Sequence, residues 1–503
     1  MYFRLTVVGI LAALLCGCAG KSELSDNGQR YRNPVLGGDY PDPSVIRTGN
    51  DYYMTHSSFE YYPGLLVWHS TDLTHWKRIS HALTKYVGSV WAPDLVKHGD
   101  TWYIYFPAAG KNWVVSAPSP EGPWSDPVDL QLSGFIDPGH VVDAEGKRHL
   151  YLSKGYIVPL ADDGLSTAGD AVPNYEGWQF PKNWSTECFC LESPKSTVRN
   201  GYFYLTVAEG GTAGPATSHM VVSARASSPY GPFENSPHNP VVHTESRDET
   251  WWSQGHGTLV DDVNGQYWIL YHGYEKGFHS LGRQTLMLPV EWTDDNWFRI
   301  AEGVNSADLL PLPAGQPSAD GTRLSDDFSG DKLGLQWQFF KHYEPERITL
   351  REGKLVLKAK GASFTESAPL LVNASDKRYE VIAEYSFDDG VTAGITLFYD
   401  EQANARIAVN REQFTVFNRG NAKYRTSNRL GNHGFLRIVN DNNEVSFYYS
   451  ADGKEWIRLE RSLELTGFNH NVFGGFLSLR AGVYAFGEGE AVFDNFIYRN
   501  LDE

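Results

Sequence analysis

The stretch DPSVIRTGNDYYMTHSS, residues 42–58, decides the fold because four later segments repeat its plan. It starts at a proline-marked aspartate, runs through the apolar pair Val45-Ile46, turns at Gly49, and returns along the aromatic-rich Tyr52-Tyr53-Met54. The plan recurs in APDLVKHGDTWYIYFPA (92–108), DPGHVVDAEGKRHLYLSK (137–154), ESPKSTVRNGYFYLTVAE (192–209) and GHGTLVDDVNGQYWILYHG (255–273). Each segment reads as a β-hairpin. The turn glycine stands nine residues after the start in three of them, Gly146 after Asp137, Gly201 after Glu192 and Gly265 after His256, and seven after it in the first, Gly49 after Asp42. Repeats spaced roughly forty to sixty residues apart suit four-stranded blades with loops. Outer-strand echoes agree: VVSAPSPEGPW (114–124) and VVSARASSPYGPF (221–233) share a strand followed by a Gly-Pro-aromatic turn. No run with helical period interrupts the region. These features predict a five-bladed β-propeller over residues 31–312.

Equivalent positions of a propeller's blades ring one axis. Here they carry Asp42, the turn Trp91-Ala92-Pro93-Asp94, Asp137, Glu192 and His256. Three carboxylates, Asp42, Asp137 and Glu192, therefore converge on one funnel. Neighbouring carboxyl groups cannot all ionise easily, so their pKa values separate into an acid and a base. Glycoside hydrolysis needs that division, with the pair about 6.5–9.5 Å apart in an inverting enzyme. Calcium is the competing use of clustered oxygens. The three carboxylates lie on separate blades without a DxDxDG loop, so acid/base work is preferred. Asp42 is clamped between Pro41 and Pro43, which stiffens its backbone. His256 could hold a water or a cation near the axis, or be a satisfied structural histidine. Arg283, in SLGRQTLMLPVEW, could orient a sugar hydroxyl or form a structural ion pair. Trp91 and Phe59 could line the pocket or pack in the core.

The rest of the chain bounds the context. PLPAGQPSADGTRLS (311–325) supplies a linker over residues 313–324. Residues 325–503 show short alternating strands, such as ERITLREGKLVLKAK and FLRIVNDNNEVSFYYSADGKEWIRL, and predict an all-β sandwich or jelly roll. A net charge of −18 argues against a nucleic-acid partner. An aromatic fraction of 14%, with 15 Trp and 28 Tyr, suits carbohydrate as well as a β core. Cys188 and Cys190 are expected to be two free buried thiols on a strand, since bridging i and i+2 there would be strained. After Arg4, LTVVGILAALLCGC is too short to span a bilayer comfortably and reads as a signal peptide.

Two resemblances sharpen this reading. Leu15-Cys16-Gly17-Cys18 resembles a bacterial lipoprotein signal box, which implies a signal peptide over residues 1–18, lipidation of Cys18, and a polar tether over 19–30. The expected location is the cell envelope, with the membrane touched only through that anchor. The motifs NPVLGGDYPDPSVIRTGNDYY, SSFEYYPGLLVWHSTDLTHW, VWAPDL, FIDPGHVVDAEGKRHLYL, LESPK, GHGTLV and LGRQTLMLPVEW together resemble glycoside hydrolase family 43, the bacterial β-xylosidases and α-L-arabinofuranosidases. The resemblance implies Asp42 as general base, Glu192 as general acid, and Asp137 as the residue that tunes and orients that acid. It places Phe59, Trp91 and Arg283 against the sugar and His256 at an axial ion or water site. Ser193 stands where the family more often has Gly or Ala. The C-terminal region resembles the concanavalin-like sandwich appended to part of the family, where it can close one side of the pocket. The implied activity is inverting, exo-acting release of xylose or arabinofuranose from plant cell-wall arabinoxylan or its oligosaccharides. No cofactor is required, and a structural calcium near His256 is compatible with it. The alternatives are an endo-arabinanase and a non-catalytic carbohydrate-binding surface lipoprotein.

Overall fold

The computed structural model describes residues 29–502. The lipidation expected at Cys18 and the signal peptide fall outside the described residues. Among those described, no helix is long and apolar enough to cross a membrane.

Five antiparallel sheets of consecutive strands form the blades of a propeller. The inner strands are Ser44–Thr48, Asp94–His98, Gly139–Val142, Glu192–Arg199 and Trp251–Asp261. Each is followed by its hairpin partner, as the repeat predicts: Asp51–Thr55, Thr101–Ala108, Arg148–Leu152, Tyr202–Glu209 and Tyr267–Glu275. Turn chemistry fixes these hairpins. Asp143 Oδ1 accepts the backbone N–H groups of Glu145 and Lys147, and Asp262 Oδ1 accepts those of Asn264 and Gln266. Apolar side chains fill the gaps between blades, with Trp68, Trp76, Trp268 and Trp297 fully buried. The ring is drawn shut at its ends, where Arg30–Tyr31 pairs with Leu310–Pro311.

The C-terminal region is a sandwich of an eight-stranded and a seven-stranded sheet. Its core holds Trp337, Phe339, Tyr379, Phe447 and Phe493. The eight-stranded sheet ends on a strand from the propeller. Tyr61–Tyr62, in the loop inside blade 1, pairs antiparallel with Gln338–Phe340. Arg480 of the sandwich lies 3.4 Å from the centre of the Tyr61 ring. The linker is strapped down rather than free: Arg78 of blade 1 donates to the carbonyls of Gly321, Thr322 and Arg323.

Cys188 and Cys190 correct the sequence expectation of two free buried thiols. They form a disulfide in a partly exposed loop, with Cα atoms 5.3 Å apart. Cys190 adopts φ 42°, which folds the chain tighter than a strand would and brings the two residues within bridging distance.

Candidate active site

The axis of the propeller ends in a small pocket of about 70 Å³. Asp42, Asp137, Glu192, His256, Arg283, Phe59 and Trp91 all line it, so every site residue expected within the described chain meets at one place. Asp94 does not join them. It turns below the pocket and accepts hydrogen bonds from Ser44 Oγ (3.1 Å), Lys195 Nζ (2.8 Å) and the His140 N–H (2.7 Å). It thus ties blades 1, 3 and 4 together under the site.

The backbone aims the side chains. Asp42, Asp137 and His256 have φ of 59°, 54° and 61°, and Ser193 beside Glu192 has 57°. Left-handed backbone is uncommon outside glycine, and Asp and His tolerate it better than most. At Gly139 a Cβ would stand 1.7 Å from the carbonyl oxygen of Pro194. Only glycine lets blade 3 approach blade 4 so closely, and that approach lets the Ser193 N–H donate to Asp137 Oδ2 at 3.1 Å.

Asp42 is 4% exposed and held from every side. Its Oδ1 lies 3.3 Å from Arg283 Nη1, 3.0 Å from His272 Nδ1 and 3.2 Å from His256 Nδ1. Ser57 Oγ donates to Oδ2. Burial alone would raise the pKa of this carboxyl. Arg283 and the two imidazoles outweigh it and hold Asp42 well below the usual carboxylate range. Burial depresses the basicity of His256 and His272, so Arg283 is the fixed charge beside Asp42, and His272 Nδ1 also accepts the Asp42 backbone N–H at 3.2 Å.

Glu192 has the opposite environment. Burial, then the charges of Asp137 and Asp42, push its carboxyl well above the ordinary value. Burial and Asp42 also raise Asp137, but the charge of Lys195 and the Ser193 N–H favour its ionised form. Glu192 has no such compensating N–H or lysine among the described residues. One pocket is thus lined by a carboxyl pushed toward its ionised form, Asp42, and one pushed toward its protonated form, Glu192.

Asp42, His256 and His272 also place donor atoms within 4.8 Å of one another. Two imidazole nitrogens, one carboxylate oxygen and a guanidinium on that same oxygen do not suit calcium, which takes oxygen ligands. The buried Nε2 of His256 has no protein partner among the described residues.

Several pocket residues carried no readable signal. Phe476 comes from the sandwich. It sits at φ 54° after Gly474-Gly475, with its ring stacked on His470 at 3.7 Å and 5.0 Å from the Arg283 guanidinium. It faces Phe59 at 6.3 Å and Trp91 at 6.0 Å, completing the aromatic wall. No local pattern could place it in a pocket built by another domain. His272 and Thr212, joined at 3.2 Å, sit behind and beside Asp42. The one available hint for His272 was a polar residue closing the apolar run YWILY. Asp39, 3% exposed, accepts the Arg283 backbone N–H at 3.1 Å and so fixes the chain that carries the cation.

Comparison with known proteins places this geometry. Residues 31–298 match the model of glycosyl hydrolases family 43, and residues 325–499 match the β-xylosidase C-terminal concanavalin A-like domain. A non-reducing end α-L-arabinofuranosidase of Bacteroides ovatus is 29% identical, covering 94% of this chain and 95% of its own. A xylosidase/arabinosidase of Humicola insolens is 28% identical over 93% of this chain and 98% of its own. A family 43 crystal structure from Bacillus licheniformis superposes with a TM-score of 0.86 at 30% identity, covering 94% of this chain and all of that one.

Proposed function

The chain belongs to glycosyl hydrolases family 43, and from that membership and the pocket's opposed carboxyl groups we infer an inverting, exo-acting glycosidase that releases terminal xylose or arabinofuranose from arabinoxylan-type substrates. The observation that carries the mechanism is the split ionisation, Asp42 held charged and Glu192 held protonated in one cavity. Glu192 gives its proton to the glycosidic oxygen as the bond to the anomeric carbon breaks. Asp42 takes a proton from the water that attacks the opposite face. The charge of Asp137 raises the Glu192 pKa and so helps keep that acid protonated. Phe59, Trp91 and Phe476 offer apolar faces to the sugar, and Arg283 directs a hydroxyl while holding Asp42. Carboxylates and water suffice for this chemistry, so no organic cofactor enters it. The xylosidase and arabinofuranosidase names of the relatives support the pentose assignment. Phe476 walls one side of the pocket, which favours exo action over an endo-arabinanase groove. A sugar-binding lipoprotein without activity would have no use for the carboxylate trio.

The test is release of p-nitrophenol from the β-xyloside and the α-L-arabinofuranoside, with the product anomer followed by NMR. An inverted anomer is expected, and retention would overturn the mechanism. Equal, negligible release by the wild type and Glu192→Ala would return the protein to a binding role. Cys18 would carry the lipid that holds the enzyme at the cell envelope. Cys18→Ala should then shift it from the membrane to the soluble fraction, and an unchanged distribution would remove the anchor.

A further inference from the structure

A second cavity, about 640 Å³, opens beside the pocket and shares Ile136 and Glu192 with it. Glu192 thus stands between a small chamber and a large groove. If the pentose fills the chamber, whatever it is bonded to must lie in the groove. This rests on the assignment of Glu192 as the acid.

The groove's walls are mostly apolar. Phe135 and Ile136 precede Asp137, and Phe189 and Leu191 precede Glu192. Of its polar lining, Ser153 Oγ accepts the Ile136 N–H at 2.9 Å and Lys154 Nζ donates to the Gly134 carbonyl at 2.9 Å, which leaves the exposed Glu176 beside the catalytic Glu192. A ring of hydroxyls needs several fixed partners, and these walls offer few beyond Glu176. A flat apolar face needs only area and an aromatic neighbour. Phe189 offers that neighbour and is 38% exposed. The Cys188–Cys190 disulfide closes the turn that carries it, and the turn is pinned where the Gly210 N–H donates to the Phe189 carbonyl at 3.0 Å. Behind it runs an aromatic file: Phe189 on Phe180 (centroids 5.7 Å), Phe180 on Trp184 (6.5 Å), Trp184 on His243 (4.6 Å).

The geometry points to a binding site for a planar aromatic leaving group, a phenolic ring bonded through its oxygen to the pentose. Hydrolysis there breaks the bond between the anomeric carbon and the phenolic oxygen. Glu192 protonates that oxygen, water adds to the carbon, and Asp42 takes the water's second proton.

Non-hydrolysable 1-thioglycosides of the accepted pentose separate binding from leaving-group chemistry. Their Kd values are measured by calorimetry on the full chain. The phenyl thioglycoside should bind about tenfold tighter than the methyl one, as one buried aromatic face implies. A thio-linked pentosyl-pentose should gain less than the phenyl compound. Phe189→Ala should abolish most of the phenyl advantage and Phe189→Tyr should keep it, with folding checked by circular dichroism. A phenyl-to-methyl ratio within about twofold, a tighter pentosyl-pentose, or an unchanged ratio in Phe189→Ala overturns the proposal alone. Failure of every thioglycoside and of the free pentose to bind overturns the glycosidase reading with it.

Discussion

Asp42, Asp137 and His256 stand in left-handed backbone of a kind that costs on the order of 1–3 kcal/mol per residue. The prolines around Asp42 were visible in the sequence, and so was the repeat position. The positive φ was not, because it follows from blades meeting at the axis. The roles of Asp42 and Glu192 depend on charge, so pH should report them. Activity needs Asp42 ionised, hence a pH above its depressed pKa, and Glu192 protonated, hence a pH below its raised one. A bell-shaped profile of kcat/KM is expected. Asp137→Asn removes a negative neighbour of Glu192, so the Glu192 pKa falls and the alkaline limb should move to lower pH. An alkaline limb that stays in place would detach Asp137 from the acid. Asp42→Asn should lower kcat by about 10²–10⁴-fold with an unchanged circular dichroism spectrum, whereas near-normal turnover would free Asp42 of its role as base.

The blade was the most legible element. An apolar strand, a turn glycine and an aromatic return strand marked each hairpin, and those hairpins stand where the repeat put them. Asp94 shows the limit of that legibility. It shares the repeat position, yet its side chain leaves the pocket and neutralises Lys195, a buried cation. Sequence spacing cannot distinguish a carboxylate facing substrate from one bracing the blades below. Removing one partner of a buried pair costs about 3–5 kcal/mol, so Asp94→Ala should lower the Tm markedly in a calorimetric scan. An unchanged Tm would show that Lys195 finds another partner. Gly139→Ala tests the neighbouring contact. Its Cβ would meet the Pro194 carbonyl, push blade 4 from blade 3 and loosen Asp137 from Ser193. Reduced kcat with a retained propeller spectrum is expected, and wild-type kcat would mean the blades absorb the methyl group.

At the scale of the whole molecule, two domains were readable but their seam was not. Tyr61-Tyr62 reads as part of a propeller loop, and its partner strand lies 275 or more residues away in sequence. A chain ending at residue 312 would lose Phe476 from the pocket and leave the Tyr61–Tyr62 strand without its sheet. Unpaired strand edges invite aggregation. Such a truncation should accumulate as insoluble protein or release little pentose, and a soluble, fully active propeller would contradict the seam's importance. The same two-residue pairing constrains how the enzyme can diversify. Phe59, two residues before the stitched strand, lines the sugar pocket, so any insertion there would displace wall and seam together. Selection for new substrates meets less of that double constraint in the loop before Glu192, whose disulfide and hydrogen bonds lie within the propeller.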